Sequence, residues 1–137
     1  MFNTAAELAL LLAGLTQLAI ASSSLLVPHL LGWREETRQL RPLTRQVFWT
    51  YASYILVMNV AFGVLSLVMP RALSDGSSLA RVLCAFLAAY WAARLILQFT
   101  YFDRSVAVRP LFRIAEAAYV LAFAYLAVVY SAVAVWS

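Results

Sequence analysis

Residues 111–136 read LFRIAEAAYVLAFAYLAVVYSAVAVW, with one arginine and one glutamate near the start and no charge after Glu116. A helix needs roughly 20 mostly apolar residues to cross the hydrocarbon core of a bilayer. This stretch has that length and composition. Three more of the same kind precede it: Ala5–Val27, Val47–Met69 and Leu79–Phe102. The connections between them span only 19, 9 and 8 residues, so they hold no separate soluble domain. The pattern predicts an all-α, integral membrane four-helix transmembrane bundle. It would be built as two antiparallel hairpins and form one transmembrane domain over residues 1–137.

Composition points the same way. Hydrophobic residues make up 65% of the chain and charged residues 12%, against roughly 25% charged in soluble domains. Such a chain has too little polar surface to cover a core in water. Met1–Glu7 carries no lysine or arginine, whereas a secretory signal opens with a positive region. The first apolar run is also long for a signal, so it reads as a retained helix. The single cysteine, Cys84, lies inside the third stretch and reads as a small core residue.

The charges are distributed unevenly. All ten basic residues are arginines. Arg34, Arg38, Arg41 and Arg45 sit between the first two stretches, and Arg104, Arg109 and Arg113 around the third connection. The second connection and its flank hold only Arg71 and Arg81. Short arginine-rich loops stay in the cytoplasm, so loops one and three are expected inside and both termini outside. Compactness and the arginine bias suggest a bacterial inner (cytoplasmic) membrane. Arginines confined to short juxtamembrane loops suit anionic headgroups, and nucleic acid is not an expected partner.

Arg41-Pro42-Leu43-Thr44-Arg45 recurs 68 residues later as Arg109-Pro110-Leu111-Phe112-Arg113. The chain would then be two hairpins of one orientation, related by an axis along the membrane normal. Convergence gives the same pattern, because proline suits the first turn of a helix and arginine suits the cytoplasmic interface. Either way, Arg41, Arg45, Arg109 and Arg113 flank helix N-termini, where free N–H groups attract anions. These four are the expected lipid-headgroup residues, and membrane lipids the expected partners.

Polar residues inside the spans carry the functional reading. A charge within a span is costly and faces the bundle interior, paired with another group. Tyr90, Arg94, Gln98 and Tyr101 share one face at helical spacing. Arg94 lies about 12 Å from the cytoplasmic end of its helix, and Glu116 about 9 Å from the start of the next. An Arg94–Glu116 pair is therefore expected, with Tyr90, Gln98 and Tyr119 around it. Tyr119, Phe123, Ala127 and Tyr130 share the Glu116 face. Asn59 marks the inner face of the second helix, with Phe48, Ala52, Ile55, Gly63 and Ser66. Gln17 marks that of the first, with Ala6, Leu10, Ala13, Ala21 and Ser24.

The expected ligand-binding residues are thus Arg94, Glu116, Gln98, Tyr90, Tyr101, Asn59, Tyr119 and Gln17. A structural ion pair that fixes helix register accounts for Arg94 and Glu116 equally well, and packing glue accounts for Gln17 and Asn59. No catalytic motif is present. One histidine and one cysteine give no metal site, and no cofactor is expected. The leading expectation is a small protein that binds a hydrophobic ligand with a polar head (a lipid, quinone or isoprenoid), or an accessory subunit of a membrane complex. A membrane-embedded enzyme acting on a lipid-like substrate, with Glu116 and His29 as acid/base groups, is the alternative, as is a small oligomeric transporter. The Ala85/Ala89/Ala93 stripe is the expected surface for a homo-oligomer or a larger membrane complex.

Overall fold

The computed structural model describes residues 2–100 and 110–136. They form seven helices: α1 Phe2–Ser24, α2 Val27–Leu30, α3 Trp33–Thr37, α4 Pro42–Val68, α5 Pro70–Leu73, α6 Ser78–Thr100 and α7 Pro110–Trp136. The described residues contain no strand. Four stretches are long and apolar enough to cross a membrane: Ala5–Leu30, Pro42–Val68, Ser78–Phe99 and Arg113–Val135. The fold is an all-α membrane bundle. The expected site residues Tyr101 and Arg109 lie outside the described residues.

Helix ends follow the prolines. α4, α5 and α7 each begin on one, at Pro42, Pro70 and Pro110, where the missing N–H has no intrahelical partner to lose. The second helix therefore starts five residues before the apolar stretch at Val47. Between α1 and α4 the chain turns through α2 and α3, with Gly32 at φ 66° capping the start of α3. A left-handed residue there is cheap only for glycine.

α1 packs against α4 and α6 against α7, and α1 also touches α7, joining the two hairpins. The inner face expected for α1 is buried: Ala6, Leu10, Ala13, Gln17 and Ala21 are all 7% exposed or less. Its contact with α4 is made at Gly14 and Gly63. A Cβ on Gly14 would stand 2.8 Å from the Gly63 carbonyl oxygen and 2.8 Å from Leu67 Cγ. Small residues let membrane helices approach this closely, and close approach yields the dispersion contacts that replace the hydrophobic effect in lipid.

The core is lopsided. The end of the bundle holding the termini and α5 contains the fully buried Leu10, Cys84, Leu87, Leu126 and Tyr130. Toward the other end, which carries α2 and α3, complete burial stops early on α4, α6 and α7, while α1 stays buried as far as Ala21. The first buried residue of α4 is Asn59. The last of α6 is Trp91 and the first of α7 is Phe123, among the described residues. Ile55, expected on the inner face of α4, is 56% exposed. α4 therefore buries residues completely only along its second half, and its first half meets α3 through Phe48 and Trp49.

Candidate functional site

The polar side chains of the spans fall into separate groups at different depths. Nearest the α5 end, Tyr130 is fully buried and joins three helices. Gln17 Nε2 on α1 donates to its hydroxyl, which also shares a hydrogen bond with Ser66 Oγ on α4. Gln17 Nε2 reaches the Ala13 carbonyl as well, at 3.3 Å, while Gln17 Oε1 is buried without a partner. Gln17 is thus placed in a packing network. Interhelical hydrogen bonds of this kind contribute about 0.6 kcal/mol on average in membranes.

One layer further, Tyr90 donates to Asn59 Oδ1 at 2.8 Å, tying α6 to α4. Phe62 packs edge-on against Tyr90, with centroids 5.7 Å apart. Tyr90 is in turn edge-on to Trp91 at 5.0 Å. Trp91 stacks on Phe123 at 5.6 Å and Phe123 stacks with Tyr119 at 5.8 Å. These rings make an aromatic floor across the bundle at the level where complete burial ends.

Arg94, Gln98 and Glu116 stand just beyond this floor, all half-buried. Arg94 Cζ lies 4.9 Å from the centre of the Phe123 ring, a cation–π contact that offsets part of the desolvation of the guanidinium. Arg94 Nη1 donates to Gln98 Oε1 at 3.3 Å, and Gln98 Nε2 donates to Glu116 Oε2 at 2.9 Å. The amide orientation follows from the chemistry, since an arginine only donates and a carboxylate only accepts. Gln98 therefore links the two charges. Tyr119 shares a hydrogen bond of 2.5 Å with Ser23 of α1, closing the third side.

Sequence reasoning named Arg94, Gln98, Glu116, Tyr90, Asn59 and Tyr119, and the structure brings these around the aromatic floor. It missed Ser23 and the linking part of Gln98. Of the expected headgroup residues, Arg41 and Arg113 are exposed and Arg45 is half-buried beside Trp49. His29 is exposed on α2, and the Ala85/Ala89/Ala93 stripe is exposed on α6.

Chemically, the cluster offers donors from Arg94, an acceptor from Glu116 and an amide able to do both. An apolar aromatic surface lies directly behind it. That combination suits a carbonyl, hydroxyl or phosphate attached to an apolar body. Comparison with protein-family models, with curated proteins and with solved structures returns no match to this chain.

Proposed function

We propose that this protein binds a hydrophobic ligand with a polar head, a lipid, quinone or isoprenoid, in a bacterial inner membrane. The head would sit on Arg94, Gln98 and Glu116. The apolar body would lie against Tyr119, Phe123 and the exposed Ile55 of α4. One observation carries this reading: on α4, α6 and α7 complete burial stops at Asn59, Trp91 and Phe123, and the charged residues lie beyond that level. A purely structural charge pair is better served by a closed core, because charges in hydrocarbon are costly and need full enclosure by partners.

The test is native mass spectrometry of protein released gently from its own membrane. An added mass of a few hundred daltons, lost in Arg94→Ala and partly kept in Arg94→Lys, supports the reading. A bare protein, or one with only random lipids in all three forms, sinks it. The reading also sets both termini outside, as arginine-rich loops require. In a Cys84→Ala background, an impermeant thiol reagent should label Ser77→Cys in intact cells but not Thr44→Cys.

A second reading is a subunit of a homo-oligomer or a larger membrane complex. The exposed small-residue stripe of Ala85, Ala89 and Ala93, flanked by exposed Val82 and Phe86, supports it. Cross-linking at Ala89→Cys that yields no dimer and no adduct in membranes counts against it.

A further inference from the structure

The surface at the α2–α3 end holds a second polar feature, which shares no residue with the Arg94 cluster. A cleft of about 390 Å³ is lined by Arg34, Thr37, Arg38, Arg45 and Trp49. Among the described residues its lining carries three guanidiniums and no carboxylate. Arg34 and Arg38 are four residues apart on one helical surface, a spacing at which like charges repel. Glu35 reaches Arg38 at 3.4 Å, but both side chains are over 70% exposed, so that pair contributes little. Among the described residues, the cleft is therefore a concentration of positive charge.

The wall of the cleft is built. Thr37 is 5% exposed and its hydroxyl donates to the Trp33 carbonyl at 2.7 Å. The Trp49 indole N–H donates to the same hydroxyl at 3.3 Å, which pins α3 to α4. Trp33 packs edge-on against Phe48 and Trp49, at 5.0 and 6.0 Å. Tryptophans of this kind sit at headgroup level. A packed aromatic wall thus stands beside planar, permanently charged forks, which match phosphate oxygens bidentately.

We infer that the Arg34–Arg38–Arg45 cleft is a binding site for a phosphate group at the membrane surface. It is separate from the Arg94 cluster and does not depend on the reading given for that cluster. The phosphate belongs either to an anionic phospholipid headgroup or to a soluble phosphate compound, and both present the same oxygens to the arginines.

Two measurements on the full-length protein distinguish these. In the first, native mass spectrometry counts phosphatidylglycerol retained from micelles holding equal amounts of phosphatidylglycerol and phosphatidylcholine. In the second, protein in phosphatidylcholine nanodiscs is titrated with inorganic phosphate at constant ionic strength, and tryptophan fluorescence is read. The variants are R34Q/R38Q, which empties the cleft of two charges, and R41Q/R113Q, which removes two charges from the same end outside it. A cationic residue near a membrane surface strengthens anion binding roughly fivefold, so R34Q/R38Q should lose roughly thirtyfold in whichever arm responds. R41Q/R113Q should lose several times less.

Phosphatidylglycerol retention without a phosphate response assigns the cleft to a headgroup. A saturable phosphate response assigns it to a soluble compound. Equal losses in the two double variants would mean a diffuse field and overturn the proposal, as would no response in either arm. Arg34 and Arg38 are exposed, so their loss leaves the bundle intact. Arg45→Gln alone, losing roughly fivefold, gives an independent check.

Discussion

Gly14 and Gly63 face each other across the α1–α4 crossing, each so close to the other's backbone that an added Cβ would crowd its carbonyl oxygen. A Cβ on Gly14 would meet the Gly63 carbonyl oxygen at 2.8 Å, while one on Gly63 would meet the Gly14 carbonyl oxygen and Leu18 at 3.1 Å. Overpacking costs about 1–3 kcal/mol, and alanine's better helix propensity returns about 1 kcal/mol. Gly14→Ala should therefore lower stability by about 1 kcal/mol, and Gly63→Ala by less. Thermal unfolding in detergent micelles reads the difference. A Gly14→Ala protein melting above wild type would mean that the helices can part without loss.

Tyr130 should matter more than either of its partners. Its hydroxyl serves both Gln17 and Ser66, so Tyr130→Phe breaks two interhelical bonds and costs about 1–2 kcal/mol, at up to 1.7 per strong bond. Gln17→Met breaks one of those bonds and also removes the orphaned Gln17 Oε1, so it should cost less. If Gln17→Met proves the more damaging in the same unfolding assay, the orphaned oxygen has a partner that the static arrangement lacks.

Gln98 couples Arg94 to Glu116, and coupling is measurable. Gln98→Leu leaves a donor and an acceptor each one partner short, at a cost of about 1–3 kcal/mol. Arg94→Met and Gln98→Leu should be non-additive by about 0.5–3 kcal/mol, as residues of one network are. A double-mutant cycle in the unfolding assay tests this. Strict additivity would show that the amide does not transmit between the charges.

Acid should loosen the turn before α6. The Ser77 backbone N–H donates to Asp75 Oδ1 at 2.9 Å. This bond, with help from the Ser77 side chain, holds the Asp75 carboxyl below the usual carboxylate range. A carboxyl lowered on folding stabilises fully above its unfolded pKa, and that contribution disappears as pH falls through the folded value. The advantage of wild type over Asp75→Asn in unfolding should thus shrink with falling pH through the acid range. A constant or growing difference would contradict the assignment.

The spans and the α1 face were legible because lipid imposes length and composition, and because α1 is packed along most of its inner face. Ala6, Leu10, Ala13 and Gln17 could be read from spacing alone. α4 was half legible. Asn59, Gly63 and Ser66 are buried, but Ile55 on the same face is not, since periodicity marks a face without saying how far a neighbour follows it. Gly14 escaped notice because a lone glycine in an apolar run reads equally well toward lipid. Its partner lies on another helix. For the charged cluster, spacing brought Arg94, Gln98 and Glu116 together but not the way in which they connect. Counting 1.5 Å per residue put Arg94 and Glu116 at one depth. The actual register sets Glu116 opposite Gln98, one turn further along α6, just as it sets Phe123 opposite Trp91.

The Gly14–Gly63 contact also has a mechanical consequence. From Gly63 to Pro42 runs an arm of about 32 Å, 21 residues at 1.5 Å each. The crossing is a fulcrum near the far end of that arm. A tilt of a few degrees there, too small to disturb the glycine contact, sweeps the Pro42 tip by a couple of ångströms. The placing of the Pro42 end of α4, and of the α3 segment pinned to it, is thus a matter of leverage, on which a methyl group at residue 14 would act from farther along the bundle.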